Sequence, residues 1–301
     1  MSASVPNPSS PLPRDLFLLP RQNDGFQIPF FLSTEEEAAK VRPPAVVKTL
    51  EARLRELSVK QQETLRDFKR LVKSTPWYNE NEHDDWMLIR YLIARNFDKK
   101  KSFAMIEKSV KWHKEKDVDN WVCDTCLVDP NKHLMQFVGW DLQSRPVCFM
   151  TMRWGPERKH PLKHCVSAFN HLVKLMPVGV EQWVCVTDFE TFSYVKDNHP
   201  RMALSVVSTI QDHFPERLGL MILVNAPRMF AVLWAALSPA IEEKTRAKVL
   251  FLYTKSKPKI QTEFANIFPA ALAEYLCESY RRSEGNVLPT APVWYPAQRK
   301  E

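Results

Sequence analysis

Charged side chains stand at the edges of several strongly apolar segments of this chain. Glu216 and Arg217 directly precede one of the most apolar runs, while Arg95 and Lys248 each border another. Cations beside a carboxylate suit a phosphodiester of a polyol. The cations neutralise the phosphate, and the carboxylate accepts hydrogen bonds from the hydroxyl groups of the polyol. Charges at the edge of a core also form structural ion pairs. The residues alone leave both interpretations open.

The segment from Pro227 to Leu237 is apolar on nearly every face. A helix of this kind is either buried or in contact with lipid. We expect Pro227 at its first helical position, where a missing backbone N–H costs nothing. A helix of this length reaches about 16 Å, which is too short to cross a bilayer. A core helix, a lid over an apolar ligand and an interfacial helix all remain open.

Motifs for catalysis or metal binding are weak in this sequence. Cys123 and Cys126 have the spacing of a metal knuckle, but His133 is the only imidazole near them and no second pair follows. The chain contains no glycine-rich phosphate loop and no hydrolase nucleophile motif. We therefore expect no metal site, no cofactor and no enzymatic activity.

Composition favours a protein of the cytosol that acts near anionic surfaces. The chain has 42 Lys and Arg residues against 35 Asp and Glu residues, which gives a net charge of +7. The basic residues are scattered along the chain. Such a mild excess suits an anionic membrane surface or an acidic ligand better than a nucleic acid. The six cysteines lie mostly in apolar stretches, which is typical of reduced thiols. No apolar run is as long as a membrane-spanning helix requires.

The first part of the chain reads as a tail followed by helices. Residues 1–45 are rich in proline and poor in periodic apolar positions, so we expect a disordered tail. Apolar residues then recur every three or four positions from Val46 to Lys73, which predicts one exposed amphipathic helix. The segment from Lys99 to Lys116 has the same period. A helical subdomain is therefore expected over residues 46–119.

Beyond residue 130 the pattern changes to short apolar runs separated by helical segments. Such runs are typical of strands that are buried on both faces of a parallel sheet. The predicted strands are Leu134–Trp140, Val147–Met152, Trp183–Val186, Leu220–Val224 and Val249–Tyr253. The predicted helices are Leu162–Met176, Arg201–Phe214 and Pro227–Leu237. We expect an α/β domain over residues 130–282, with a hairpin of the first two strands in a mostly parallel sheet, and a tail over residues 283–301.

Four segments of the sequence resemble the successive motifs of the CRAL-TRIO lipid-binding family, which includes the fungal secretory phosphatidylinositol transfer proteins. They are Leu88 to Asp98, Ser144 to Val147, Val186 to Phe189 and Phe214 to Pro227. The likeness extends in order and at matching spacing from about residue 60 to about residue 282. Ser144 stands where the family motif has glycine.

The resemblance implies a helical N-terminal bundle and an α/β domain whose sheet forms the floor of an apolar lipid pocket. A gate helix closes this pocket, and it corresponds to the segment from Pro227 to about Ile241. Its apolar side chains are Met229, Phe230, Leu233, Trp234 and Leu237. Family members that bind phosphatidylinositol hold the headgroup through five positions, which in this sequence are Arg95, Glu216, Arg217, Thr245 and Lys248.

The resemblance further implies a non-enzymatic protein that binds phosphatidylinositol and transfers it at membrane surfaces. A phosphoinositide kinase is the expected receiver of the lipid. Two alternatives remain open. One is a carrier of another hydrophobic ligand, such as a sterol, a retinoid or a tocopherol-like molecule. The other is a protein-interaction module that binds small GTPases.

Three further positions concern a second ligand. Members that transfer phosphatidylcholine carry hydroxyl-bearing residues on the strand before Asp188, and those positions are Trp183 and Cys185 here. A tyrosine of those members corresponds to Cys148. Because cysteine is a weak hydrogen-bond donor, we expect phosphatidylcholine to be a poor second ligand.

Overall fold

The computed structural model of the chain describes residues 48–121, 135–151, 161–189, 192–193, 199–228, 230–241, 243–253 and 257–284. The tail expected over residues 1–45 lies outside these residues. So do the Cys123 and Cys126 pair and all but two residues of the tail expected over residues 283–301.

Residues 48–121 form a helical unit with its own apolar core. Its helices are α1 (Leu50–Arg55), α2 (Val59–Lys73), α3 (Asp85–Ala94) and α4 (Lys99–Lys116), followed by a 3₁₀ turn at Val118–Asn120. Phe68 of α2, Leu88 and Leu92 of α3 and Ile106 of α4 are buried together at the centre. The apolar stripes of three helices therefore meet in one core.

The single helix predicted from Val46 to Lys73 is wrong, because the chain breaks between α1 and α2. Ser58 adopts an extended backbone, and its hydroxyl accepts a hydrogen bond from the backbone N–H of Gln61. The side chain of Gln61 accepts in return from the N–H of Ser58 at 2.9 Å. This capping box satisfies two backbone groups and starts a new helix. Leu54 of α1 still packs on the same core, so the apolar period continues across the break.

The rest of the described chain is built on a sheet in which all neighbouring strands except the first two are parallel. Its strands are β1 (Met135–Trp140), β2 (Pro146–Thr151), β3 (Trp183–Asp188), β4 (Leu218–Val224) and β5 (Val249–Leu252). Within the described residues they are ordered β1 to β5, with β1 and β2 antiparallel and the other neighbours parallel. The predicted α/β architecture and its hairpin are confirmed.

Helices cover both faces of the sheet. They are α5 (Pro161–Lys174), α6 (Pro200–His213), α7 (Phe230–Leu237), α8 (Glu243–Arg246), α9 (Lys257–Ile267) and α10 (Ala270–Glu284). Val186 of β3 lies in the core beneath α9 and α10, whereas its neighbour Cys185 faces the other side and shares a core with Phe169 of α5. On that same side Leu223 of β4 packs against Phe230 of α7.

The β1–β2 hairpin is organised by one buried carboxylate. Asp141 accepts hydrogen bonds from the backbone N–H of Gln143 at 2.9 Å and of Arg145 at 2.8 Å, and from the Arg145 guanidinium at 2.7 Å. Ser144 between them has a φ of 58°, in the left-handed region. Glycine adopts this conformation without strain, so the family motif and the local backbone agree on what this turn requires.

Candidate functional site

The turn between α6 and β4 positions Glu216 at the N-terminal end of β4. α6 ends at His213, Phe214 is buried beneath the turn, and β4 begins at Leu218. Glu216 has a φ of 58°, which is uncommon for a residue with a side chain. The backbone therefore reverses within a few residues and presents the carboxylate where β4 begins.

Two lysine ammoniums contact the Glu216 carboxylate. Lys244 Nζ lies 2.5 Å from Oε1, and Lys248 Nζ lies 3.6 Å from Oε2. Each lysine also binds the backbone, since Lys244 donates to the carbonyl of Ile93 at 3.3 Å and Lys248 donates to that of Leu218 at 2.9 Å. Positive charge is in excess in this cluster, which suits an anionic ligand.

The contact between Lys244 and Ile93 places the C-terminal end of α3 beside this cluster. Arg95 is the residue that ends α3, and its guanidinium donates to the preceding carbonyl at 2.9 Å. Thr245 lies on α8, and its carbonyl accepts from the N–H of Lys248 at 3.1 Å. Of the five predicted headgroup residues, the structure thus brings Glu216 and Lys248 into contact. Thr245 lies on α8 beside Lys244, and Arg95 lies two residues beyond Ile93, whose carbonyl Lys244 contacts.

Arg217 contacts a different set of groups. Its guanidinium donates to the carbonyl of Glu181 at 3.0 Å and contacts Met176 Sδ at 3.3 Å. Burial, and then the positive charge of Arg90, lowers the pKa of this guanidinium to about 9, so it remains charged at neutral pH. The structure does not bring it to the cluster around Glu216.

The surroundings of Arg217 are an ionic network that joins the helical unit to the sheet. Glu181 Oε1 lies 3.0 Å from Nη1 of Arg90 on α3, and Oε2 lies 3.2 Å from Nε of Arg53 on α1. These three side chains are largely buried, so removal of one partner would leave an uncompensated charge. The guanidinium of Arg217 joins this network through the backbone carbonyl of Glu181.

The helix α7 packs on the sheet through aromatic rings. Phe230 is 7% exposed, and its ring centroid lies 4.6 Å from that of Phe189. Trp234 meets Phe251 of β5 edge to face at 5.9 Å. The prediction that Pro227 occupies the first helical position is wrong, because α7 begins at Phe230. The carbonyl of Pro227 instead accepts from the N–H of Phe230 at 2.8 Å in a preceding turn.

The outer face of α7 is also apolar. Val232 is 67% exposed, and Ala231 and Ala235 beside it are exposed as well. Met229 and the side chains of Leu233 and Leu237 lie outside the described part of the structure. Across the described residues, none of the helices has the length and hydrophobicity that a membrane span requires.

The three residues predicted for a second ligand lie on the face of the sheet that α5 and α7 cover, which is called the inner face below. Cys148 of β2 and Cys185 of β3 are direct register partners, and both are buried. Trp183 is stacked on Phe169 of α5, with centroids 5.1 Å apart and planes 6° from parallel. Its Nε1 is buried without a hydrogen-bond partner among the described residues. The indole therefore fills the space between β3 and α5.

The sequence analysis did not identify Lys244, although its ammonium lies closer to the Glu216 carboxylate than that of Lys248 does. The available signal was its position four residues before Lys248, which would bring the two side chains to one side of a helical turn. Glu181 and Arg90 were also missed, because a residue in a loop and a residue on a distant helix give no pattern that links them.

Comparison with known protein families matches two regions of the chain. Residues 131–272 match the CRAL/TRIO domain, and residues 48–108 match the CRAL/TRIO, N-terminal domain. Together the matches cover more than half of the sequence. The chain belongs to the CRAL-TRIO family. CRAL-TRIO proteins bind lipids, so the chain is a member of a lipid-binding family.

Curated CRAL-TRIO relatives match over a minor part of their own length. Protein real-time of Aedes aegypti is 30% identical over 94 residues, which are 31% of this chain and 15% of that protein. Alpha-tocopherol transfer protein-like of Mus musculus is 28% identical over 130 residues, which are 41% of this chain and 37% of that protein. The crystal structure of Sfh5 is similar with a TM-score of 0.49 and 15% identity, over 63% of this chain and 80% of that one.

Proposed function

We propose that this protein binds phosphatidylinositol and transfers it between membrane surfaces without catalysing a reaction. The observation that carries the proposal is the carboxylate of Glu216 between the ammoniums of Lys244 and Lys248, beside the end of α3 where Arg95 lies. Presentation of the lipid to a phosphoinositide kinase is part of the same proposal.

The cluster has the mixture of groups that a phosphoinositol headgroup needs. A phosphodiester keeps its negative charge and requires cationic donors, which Lys248 and Arg95 supply. The inositol ring requires acceptors for its hydroxyl groups, which the oxygens of Glu216 supply. A site made only of cations would bind any phosphate, so the carboxylate is the element that favours a polyol.

An apolar region for the acyl chains lies further along the same strands. Lys248 directly precedes β5, whereas Phe251 within β5 belongs to the aromatic cluster beneath α7. A lipid with its headgroup at Glu216 can therefore direct its chains along β4 and β5 toward α7. Burial contributes about 0.8 kcal/mol for each CH₂, so release of such a lipid into water would be very slow and exchange must occur at a membrane. The exposed Val232 suits that contact.

Vesicle transfer assays with matched lysine variants test this proposal. Lys248→Ala removes a charge-assisted contact in a partly buried site, which is expected to cost about 1.5 to 3 kcal/mol, or roughly ten- to a hundredfold in affinity for phosphatidylinositol. Lys108→Ala is the control, because Lys108 is an exposed lysine that pairs only with Asp212 among the described contacts. Wild-type transfer by Lys248→Ala would refute the headgroup assignment.

A carrier of a less polar ligand is the second candidate function. Cys148, Cys185 and Met221 are neighbours in register on β2, β3 and β4, so the inner face of the sheet presents soft, weakly polar side chains. One CRAL-TRIO relative is named alpha-tocopherol transfer protein-like. Binding of a sterol or a tocopherol in preference to phosphatidylinositol would support this candidate.

A further inference from the structure

Thr187 places a hydroxyl group on the apolar face of the sheet that α7 covers. It is the register partner of Leu223 on β4, and Leu223 in turn is the partner of Phe251 on β5. Register partners in a parallel sheet point to the same face. Leu223 and Phe251 both pack in the cluster around Phe230 of α7, so the Thr187 side chain lies on the inner side of that helix.

The hydrogen bond that this hydroxyl makes is a weak one. Thr187 is 2% exposed, and its Oγ1 donates to Met221 Sδ at 3.6 Å. A thioether sulfur is a poor acceptor, so this hydrogen bond offsets only part of the free energy lost when the hydroxyl is removed from water. Valine has nearly the same shape and would fill this position without that cost. A structural role alone therefore does not account for the threonine.

We propose that Thr187 donates a hydrogen bond to an oxygen of the bound lipid within the apolar part of the site. This inference rests on the proposed function as a lipid carrier, and it adds a polar contact remote from the headgroup cluster. Thr187 lies on β3 beneath α7, whereas Glu216 and Lys248 precede β4 and β5. Met221 can turn away when the ligand oxygen becomes the acceptor, since methionine is flexible.

Two kinds of ligand oxygen fit this chemistry. One is an ester carbonyl of a diacyl lipid, which lies between the headgroup and the acyl chains. The other is the single hydroxyl group of a sterol- or tocopherol-like molecule. Both are hydrogen-bond acceptors attached to a large apolar molecule. Probes that carry only one of the two oxygens distinguish them.

The experiment compares Thr187→Val with Thr187→Ser and with the wild type. The probes are diacyl phosphatidylinositol, its dialkyl ether analogue without carbonyl oxygens, and cholesterol, each presented in vesicles. Thr187→Val removes the hydroxyl at nearly constant shape, so affinity is expected to fall about two- to tenfold for the probe whose oxygen is contacted. Thr187→Ser keeps the hydroxyl and should retain most of the affinity. Thr209→Val is the control, because that hydroxyl donates to the carbonyl of Ser205 at 2.8 Å on α6.

Unfolding measurements distinguish a ligand contact from a structural one. The lipid-free Thr187→Val variant is expected to be at least as stable as the wild type, since it loses a poorly satisfied buried hydroxyl. Weaker binding of the diacyl lipid alone identifies the carbonyl, and weaker binding of cholesterol alone identifies the hydroxyl. Either result supports the inference.

The inference is overturned if Thr187→Val binds all three probes as the wild type does. It is equally overturned if the variant loses stability together with affinity and serine restores neither. Failure of the proposed function has a different signature. In that case wild-type protein binds cholesterol through Thr187 and does not bind either phosphatidylinositol. Wild-type protein that binds none of the probes would refute both.

Discussion

Lys244 of α8 and Glu216 of the α6–β4 turn form an ion pair in which Nζ lies 2.5 Å from Oε1. The same short helix is tied to the end of α7. The guanidinium of Arg246 donates to the carbonyl of Ser238 and to that of Ile241, each at 2.8 Å. The proposed headgroup cluster and the helix that covers the apolar region are therefore connected through four residues of α8.

Replacement of Lys244 tests whether this ion pair belongs to the ligand site. Lys244→Ala leaves Glu216 with Lys248 alone and removes one cation from the cluster. Because Lys244 is partly exposed, we expect a loss of about three- to tenfold in phosphatidylinositol transfer, smaller than that of Lys248→Ala. Lys99→Ala is the control, since Lys99 pairs with Asp67 on the surface of the helical unit. Transfer equal to that of the control would exclude Lys244 from the site.

A charge on the outer face of α7 is expected to weaken membrane contact without unfolding the protein. Val232→Asp places a carboxylate at a side chain that is 67% exposed, so the free energy of unfolding should change by no more than about 0.5 kcal/mol. Vesicle binding should fall, because a charge at the membrane interface opposes insertion of an apolar face.

Two controls accompany this variant. Val59→Asp changes an equally exposed valine, 73% accessible, at the start of α2, and it should leave vesicle binding unchanged. Phe230→Asp buries a charge in the aromatic cluster and should strongly destabilise the fold. Unaltered vesicle binding by Val232→Asp would show that α7 does not contact the membrane.

The fold was predictable from the sequence where one local pattern determined the structure. Every residue of β3 is buried, and the residues of β4 and β5 are buried or partly buried on both faces, so the continuous apolar runs indicated strands without knowledge of distant partners. The limits of α4 coincide with the prediction because Asp98 caps its first turn and Asp117 ends it in a left-handed conformation. Both signals are local.

Other features depended on contacts that no pattern specifies. The break at Ser58 was hidden because α1 and α2 present apolar residues to the same core. The role of Lys244 depends on the approach of α3 to α8, which lie about 150 residues apart in sequence. The orientation of the Trp183 ring is determined by its stacking on Phe169, a tertiary contact. Of the five positions predicted for the headgroup, Glu216 and Lys248 are in direct contact, and their role in ligand binding stays a prediction.

Phosphatidylcholine is expected to be a poor ligand, and a hydroxyl group at position 185 should improve its transfer. Cys185→Thr supplies an oxygen donor on the inner face of β3, where Cys185 is buried beside Cys148. Cys185→Val has the same shape without the hydroxyl and should bring no gain. Trp183 is left intact, because its truncation would cost about 3 to 5 kcal/mol. Comparable wild-type transfer of phosphatidylcholine and phosphatidylinositol would contradict this expectation.

His171 is expected to make the protein less stable in mild acid. It is buried on α5, both ring nitrogens lack hydrogen-bond partners among the described residues, and burial lowers its pKa from 6.5 to about 4. The unfolded chain therefore binds more protons between these values, and stability falls as the pH decreases through this range by at most about 1.4 kcal/mol for each pH unit.

His171→Leu removes this contribution. Urea unfolding at about pH 7 and about pH 5 should show a smaller pH dependence in the variant than in the wild type. Some dependence should remain, because burial also lowers the pKa of His213 to about 4. An identical difference between the two pH values in both proteins would mean that His171 is not neutral in the fold.

The identity of the lipid that accompanies the purified protein tests the central claim most directly. Native mass spectrometry of the full chain, followed by extraction and fragmentation of the bound species, identifies the ligand without a choice of probe. We predict one phosphatidylinositol per chain in the wild type and its depletion in Lys248→Ala, but not in Lys108→Ala. A sterol or another neutral lipid in its place, or a chain that carries no lipid after exposure to mixed vesicles, would contradict the claim.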